Sequence, residues 1–153
     1  TNGRQAGEGR GAPGYADTGL LASLYRRDAN TTQALGAVTA IARPLILTQW
    51  QHCELENAFQ RRLLRRESTL ADLATAEARL AEDIAAGMIV PMSLPFASVL
   101  PAARQLTARH TATVGCRAFD VFHVAAAIHL RATRFLSFDA RQLALARDAG
   151  LST

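Results

Sequence analysis

Short apolar runs alternate with longer amphipathic stretches along most of the chain. Four runs have the length of strands and lie at residues 14–17, 45–48, 88–92 and 134–138. Between them, apolar residues recur at helical spacing, which predicts helices over 18–27, 30–42, 49–66, 68–86, 96–110, 117–132 and 140–149. Short buried strands that alternate with helices are typical of a parallel sheet covered on both faces. The pattern therefore predicts an α/β fold with a parallel sheet of four to five short strands flanked by helices.

Residues that favour helix ends or turns support these boundaries. Thr18 is a candidate N-cap for the first helix, and Pro44 ends the second one. Gly87 and Gly150 stand where helices are expected to close. The first strand is the weakest, because Gly14 and the preceding proline occupy positions where apolar residues would be expected.

The length and composition predict a single domain with a substantial core. The chain has 153 residues, of which 49% are hydrophobic. Residues 1–13 are Gly-rich and polar and do not resemble a signal peptide, so we expect a flexible segment there and one domain over 14–153. No apolar run approaches the ~18 residues of a membrane span, and we expect no membrane association.

The cysteines and the basic residues narrow the functional class. Cys53 and Cys116 lack CxxC spacing, which predicts a reduced, cytoplasmic protein with two buried thiols. All 17 basic residues are arginines, and the net charge of +4 favours an anionic partner. Because lysine is absent, a P-loop is excluded. Receiver domains and haloacid-dehalogenase-like phosphatases, which use an active-site lysine, are disfavoured.

Two of the 13 acidic residues follow strands directly and precede helices. Asp17 comes after the first strand and Asp139 after the last. Either could be only a helix N-cap. Together, however, the two acids stand at equivalent strand ends, which places two carboxylates at the edge of the sheet where ligands of such folds bind.

Two further acids lie among apolar residues. Asp120 follows Phe119 in a core-forming helix, where a buried carboxylate would be costly without a partner or a metal, although support of the helix dipole is the simpler role. The helical period places Glu54 on the same face of the predicted helix as Arg61 and Arg65, and Glu56 on the opposite face. We therefore assign Glu54 to the candidate site.

Converging carboxylates need cations. Oxygen ligands without His or Cys spacing select Mg²⁺ or Mn²⁺ rather than Zn²⁺. One or two such ions could activate water and stabilise an in-line displacement at phosphorus. Arg61 and Arg65 could hold the phosphate backbone of an RNA, or could be only the solvated end of a helix.

Three segments together resemble a known family. YADTGLLASLY, LTQWQHCELENAF and RAFDVFHVAAAIHLRATRFLSFDARQLALARDAGL are similar, in this order, to PIN-domain nucleases, above all the VapC-type toxins of toxin–antitoxin pairs. The resemblance implies a Rossmann-like sheet, a Mg²⁺- or Mn²⁺-dependent endoribonuclease, a homodimer and a cognate antitoxin. It assigns catalytic and metal-binding roles to Asp17, Glu54, Asp120 and Asp139. It places supporting hydroxyls at Thr18 and Ser137.

Other interpretations stay open at this point. The chain could be a catalytically silent PIN-like module that binds RNA or protein, or a structure-selective DNA nuclease of related fold. His123 could assist in the site, but a structural histidine is the simpler interpretation, as core or dimer contacts are for Trp50 and Phe59. The sequence also departs from the family in its first strand, and it ends at Thr153 with little room for a final edge strand.

Overall fold

A computed structural model describes residues 12–41 and 44–153 of the chain. Residues 1–11, most of the segment expected to be flexible, lie outside the described residues. The elements follow one another in the order β1 (Gly14–Ala16), α1 (Thr18–Tyr25), α2 (Thr31–Ile41), β2 (Leu45–Thr48), α3 (Gln49–Leu64), α4 (Leu70–Ala85), β3 (Ile89–Met92), α5 (Phe96–Val114), α6 (Ala118–His129), β4 (Phe135–Leu136) and α7 (Ala140–Asp148).

The predicted parallel sheet is present. Within the described residues it has four strands in the order β3-β2-β1-β4, and every pair is parallel. The chain moves outward from β1 to β2 and β3, and then returns to the opposite side of β1 to form β4. The direction of winding thus reverses between β1 and β4, which is where ligands of open α/β sheets bind, beyond the carboxyl ends of the strands.

Alternating side chains of the strands supply two hydrophobic cores, one on each face. Ala16, Leu45 and Leu47 pack with α1–α4, whereas Tyr15 and Ile46 pack with α5–α7. This alternation follows from the two-residue period of a strand. Helices therefore cover both faces of the sheet, as the apolar runs predicted.

Several boundaries differ from the predicted ones. Thr18 is the first residue of α1, and the N-cap is Asp17, whose side chain accepts from the backbone of Leu20. Helix α5 continues to Val114, because Gly115 is the first residue that leaves helical geometry, with a φ of 74°. A helix-forming pattern marks the presence of such elements better than their ends.

The last strand is shorter than the apolar run RFLSF predicted. β4 comprises two residues, because β1, with which it pairs, ends at Ala16, opposite Leu136. The chain end runs along its outer side, where the amide of Phe135 donates to the carbonyl of Ser152 at 2.8 Å. Among the described residues the sheet has four strands and no fifth.

The weak-looking first strand has a packing reason. A Cβ atom added to Gly14 would lie 2.6 Å from Cδ1 of Ile41 and 3.2 Å from Cδ2 of Leu45. Glycine lets α2 and β2 approach β1 closely. An apolar side chain in this position would have to displace its neighbours.

Gly14→Val should therefore destabilise the fold by about 2 kcal/mol, within the range for overpacked core sites. Gly36→Ala is the matched control, because the added Cβ meets nothing within 4 Å and lies in α2. Alanine there should be neutral or stabilising, by up to about 1 kcal/mol. Urea unfolding of both variants measures the difference. An unchanged midpoint for Gly14→Val would show that Ile41 and Leu45 can move aside at little cost in stability.

The prediction of two buried thiols is wrong for one of them. Cys116 is buried, but Cys53 is exposed, because it lies on the same face of α3 as the exposed residues Glu56, Asn57 and Gln60. Both cysteines are free. In the part of the chain that the structure describes, no helix is long and apolar enough to cross a membrane.

Candidate active site at the carboxyl edge of the sheet

Asp17 lies at the carboxyl end of the central strand and is buried. Its Oδ1 accepts from the backbone N–H of Leu20 at 2.8 Å, and its Oδ2 accepts from the hydroxyl of Ser137 at 2.6 Å. Burial raises the pKa of this carboxyl above its usual value, although both hydrogen bonds oppose the rise. Asp17 thus combines a capping role with a carboxylate in a poorly solvated position.

Asp139 lies across the β1–β4 junction from Asp17 and caps α7. Its Oδ1 accepts from the backbone N–H groups of Arg141 at 2.8 Å and Gln142 at 3.3 Å. Its own backbone N–H donates to the hydroxyl of Ser137 at 2.9 Å. Slight burial acts against ionisation, but the hydrogen bonds from Arg141 hold the pKa of Asp139 below its usual value. Ser137 therefore connects the two strand-end acids.

Asp120 lies in the first turn of α6. Its Oδ2 accepts from the backbone N–H of Arg117 at 3.0 Å, and its Oδ1 lies 3.4 Å from Nε2 of Gln142, on α7. The negative charge of Asp120 contributes to the raised pKa of Asp17, after burial, and to that of Cys116, also after burial. Asp120 thus acts electrostatically on Asp17.

Glu54 approaches the same edge from α3. Its Oε2 accepts from the hydroxyl of Thr18 at 2.7 Å and lies 3.0 Å from Nε2 of His123. Partial burial raises the pKa of Glu54, but the contacts with His123 and Thr18 outweigh burial and the net shift is downward. Glu56, in contrast, is exposed beside His52 on the outer face of the helix.

A histidine and a tyrosine that the sequence did not assign to the site lie behind Glu54. His123 is buried, and its Nδ1 lies 2.9 Å from the hydroxyl of Tyr15, which is fully buried. Burial raises the pKa of Tyr15, and the charges of Glu54 and Asp17 add to the rise. The available signal was position: Tyr15 precedes Asp17 by two residues and His123 follows Asp120 by three.

The candidate RNA-binding arginines lie beyond Glu54. Arg61 and Arg65 are exposed at the end of α3. A groove of about 560 Å³ near the carboxyl end of α1 is lined instead by their neighbour Arg62. Arg62 lies 3.8 Å from the carboxylate of Glu67, which lines the same groove, so part of its positive charge is already compensated.

The four acids converge without forming a closed metal cage. Within residues 12–41 and 44–153, no three His, Cys, Asp or Glu side chains come close enough to bind one ion. A cation would nevertheless suit this edge, since Asp17 is buried with a raised pKa and is repelled by Asp120. Both short contacts of Glu54 fall on Oε2, which leaves Oε1 for a further ligand. The oxygen-rich donor set fits Mg²⁺ or Mn²⁺.

Trp50 and Phe59, for which core or dimer contacts were the favoured roles, are core residues. Trp50 packs in the cluster formed with α5–α7, and Phe59 in the cluster formed with α1–α4.

Comparison of the chain with protein-family models found no match, and comparison with curated proteins also found none.

Proposed function

We propose that this protein is a metal-dependent endoribonuclease of the PIN-domain type. The observation that carries the proposal is that four acids from separate parts of the chain are linked through shared neighbours beside the β1–β4 reversal. Ser137 joins Asp17 to Asp139, and Gln142 joins Asp139 to Asp120. Thr18, the residue after Asp17, donates to Glu54. Three of them cap or support helices. Glu54 caps no helix, so capping does not explain why it lies beside Thr18 at the same edge.

In this proposal, Asp17, Glu54, Asp120 and Asp139 hold one or two Mg²⁺ or Mn²⁺ ions. When bound, such an ion lowers the pKa of water and stabilises the charge that develops at phosphorus. Ser137 and Thr18 fix the orientation of the carboxylates through their short hydrogen bonds.

The substrate side of the proposal rests on charge. The chain has a net charge of +4, and Arg61 and Arg65 are exposed on the helix that carries Glu54. Guanidinium groups at that position would bind backbone phosphates of an RNA on one side of the cleaved bond. No nucleophilic side chain is required.

We extend the proposal to the biological role that the sequence resemblance implies. The protein would act in the cytoplasm as the toxin of a toxin–antitoxin pair, as a homodimer, with its activity blocked by a cognate antitoxin. Two free cysteines, one of them exposed, suit a reducing compartment.

A cleavage assay on the purified chain tests the activity. Incubation with total bacterial RNA should give discrete fragments in the presence of Mg²⁺ or Mn²⁺ and no cleavage in EDTA. A single-stranded DNA pool under the same conditions should stay intact. Cleavage that persists in EDTA would exclude a metal-dependent reaction, and preferential cleavage of the DNA would favour the DNA-nuclease alternative.

One observation favours a second candidate, a catalytically silent RNA- or protein-binding module. Each of the four acids already has a hydrogen-bond donor from the protein. These acceptors therefore do not need a cation to be satisfied. RNA binding without cleavage at any Mn²⁺ concentration would support this candidate.

A further inference from the structure

We infer that His123, held in place by Tyr15, is the positioning residue for Glu54. The inference rests on the proposed function, since it concerns the carboxylate that a metal ion would use. The three side chains form a continuous series from the central strand through α6 to α3, with contacts of 2.9 Å and 3.0 Å. Tyr15 and His123 are 108 positions apart in the chain.

The hydrogen-bond directions in this series follow from the chemistry of its members. An ionised carboxylate accepts only, so Nε2 of His123 must carry the proton that faces Glu54. In a neutral imidazole the other nitrogen then accepts, and the hydroxyl of Tyr15 donates to Nδ1. The hydroxyl of Tyr15 thereby stabilises the tautomer that Glu54 requires, in which Nε2 of His123 carries the proton.

The ring of His123 is also fixed by packing. Trp50 stacks on it with ring centroids 5.4 Å apart and an interplanar angle of 29°. Tyr15 meets it edge-on at 5.9 Å. A ring held on two sides and at both nitrogens cannot turn away from Glu54 without losing several contacts, so the donor has one direction.

Thr18 donates to Oε2 of Glu54, and Nε2 of His123 lies 3.0 Å from the same oxygen. As a result, one carboxylate oxygen of Glu54 is bound by protein groups, and the other makes neither of these contacts. Oε1 is left to face a cation. Outer partners of this kind orient metal ligands, and their loss commonly costs 10–100-fold in metal affinity or activity (order of magnitude).

Mn²⁺ titration by calorimetry, together with thermal unfolding and RNA cleavage, tests the inference. His123→Leu should weaken Mn²⁺ binding by about tenfold or more, and His123→Gln, which keeps a donor, should recover part of that loss. Tyr15→Phe should weaken binding less, because it removes the partner of Nδ1 but leaves the donor at Nε2. Tyr25→Phe is the matched control: its buried hydroxyl binds Asp83 at 2.8 Å on α4, and its loss should leave Mn²⁺ affinity unchanged.

The outcomes separate this inference from the proposed function. If the parent chain neither binds Mn²⁺ nor cleaves RNA, the proposed function is wrong, and the positioning role is wrong with it. If the parent chain binds Mn²⁺ and Glu54→Gln weakens binding, but the His123 variants bind as the parent does, only the positioning role is wrong. If His123→Leu does not fold, His123→Gln and Tyr15→Phe decide: parent-like Mn²⁺ affinity in both overturns the inference.

Discussion

Asp17→Asn is expected to abolish RNA cleavage and to leave the fold as stable as before or more stable. Asparagine can still cap α1 through its Oδ1, and its Nδ2 can donate to the Ser137 hydroxyl, which then accepts in place of donating. The charge that would bind the cation is lost, and we expect the rate to fall by about 10³-fold or more, the upper range for removing one group that stabilises a transition state.

The gain in stability has a definite dependence on pH. Burial raises the pKa of Asp17 in the folded chain above its value in the unfolded chain. The folded state therefore binds this proton more tightly, and its stability falls as pH rises through the folded pKa. Asparagine does not ionise, so the free energy of unfolding of the variant should exceed that of the parent by more as pH increases. At neutral pH we expect a difference of ~1 kcal/mol, as for other substitutions that remove a functional group and stabilise the fold.

Urea unfolding at several pH values and the cleavage assay measure the two effects. Asp72→Asn is the matched control, because Asp72 is an exposed acid in the capping box of α4, away from the sheet edge. It should retain full cleavage. An Asp17→Asn variant that cleaves RNA at the parental rate would show that Asp17 is only a cap.

Ser137→Ala should cost about 2 kcal/mol of stability at neutral pH, within the range for a hydrogen bond to a charged group, and should lower cleavage. The substitution leaves the buried Oδ2 of Asp17 without its 2.6 Å donor and the backbone N–H of Asp139 without its acceptor. Because the bond from Ser137 lowers the pKa of Asp17, its loss raises that pKa further. The destabilisation should therefore be smallest in acid, where Asp17 is protonated, and increase as pH rises.

Ser23→Ala is the matched control for this experiment. Ser23 is also buried, and its hydroxyl donates to Asp28 at 3.0 Å. Hydrogen bonds from Asn30, Arg26 and Ser23 outweigh the small effect of burial and hold the pKa of Asp28 below its usual value, so this acid is ionised throughout the range from pH 5 to 8. The cost of Ser23→Ala should be constant there, with cleavage intact. Parallel pH profiles for the two variants would contradict the account given for Ser137.

The sequence was sufficient for the architecture because the signals involved are local. Runs such as LILT at 45–48 match the observed β2, and the alternation of strands and helices predicted the covered parallel sheet. Errors occurred where tertiary contacts override local pattern. β4 ends at Leu136 because β1, its partner, ends at Ala16, and Cys53 lies on a helix face that the rest of the fold leaves exposed.

The candidate site was predictable only in part, for the same reason. Asp17 and Asp139 could be located because strand ends in a parallel sheet share one edge. The partners of Glu54 could not, since Thr18 and His123 are 36 and 69 positions away and nothing in local spacing pairs them. The bond from Gln142 to Asp120 is another long-range contact of this kind.

The double use of the acids has an evolutionary consequence. Asp17 and Asp139 serve the fold as N-caps, a role that Asn, Ser or Thr also fills well. Selection for folding alone would let these positions drift among the four residue types, and a lineage that lost its chemistry would still fold. Carboxylates retained at both positions across homologues would therefore record selection on the reaction, whereas a mixture of amides and hydroxyls would identify lineages that kept only the scaffold.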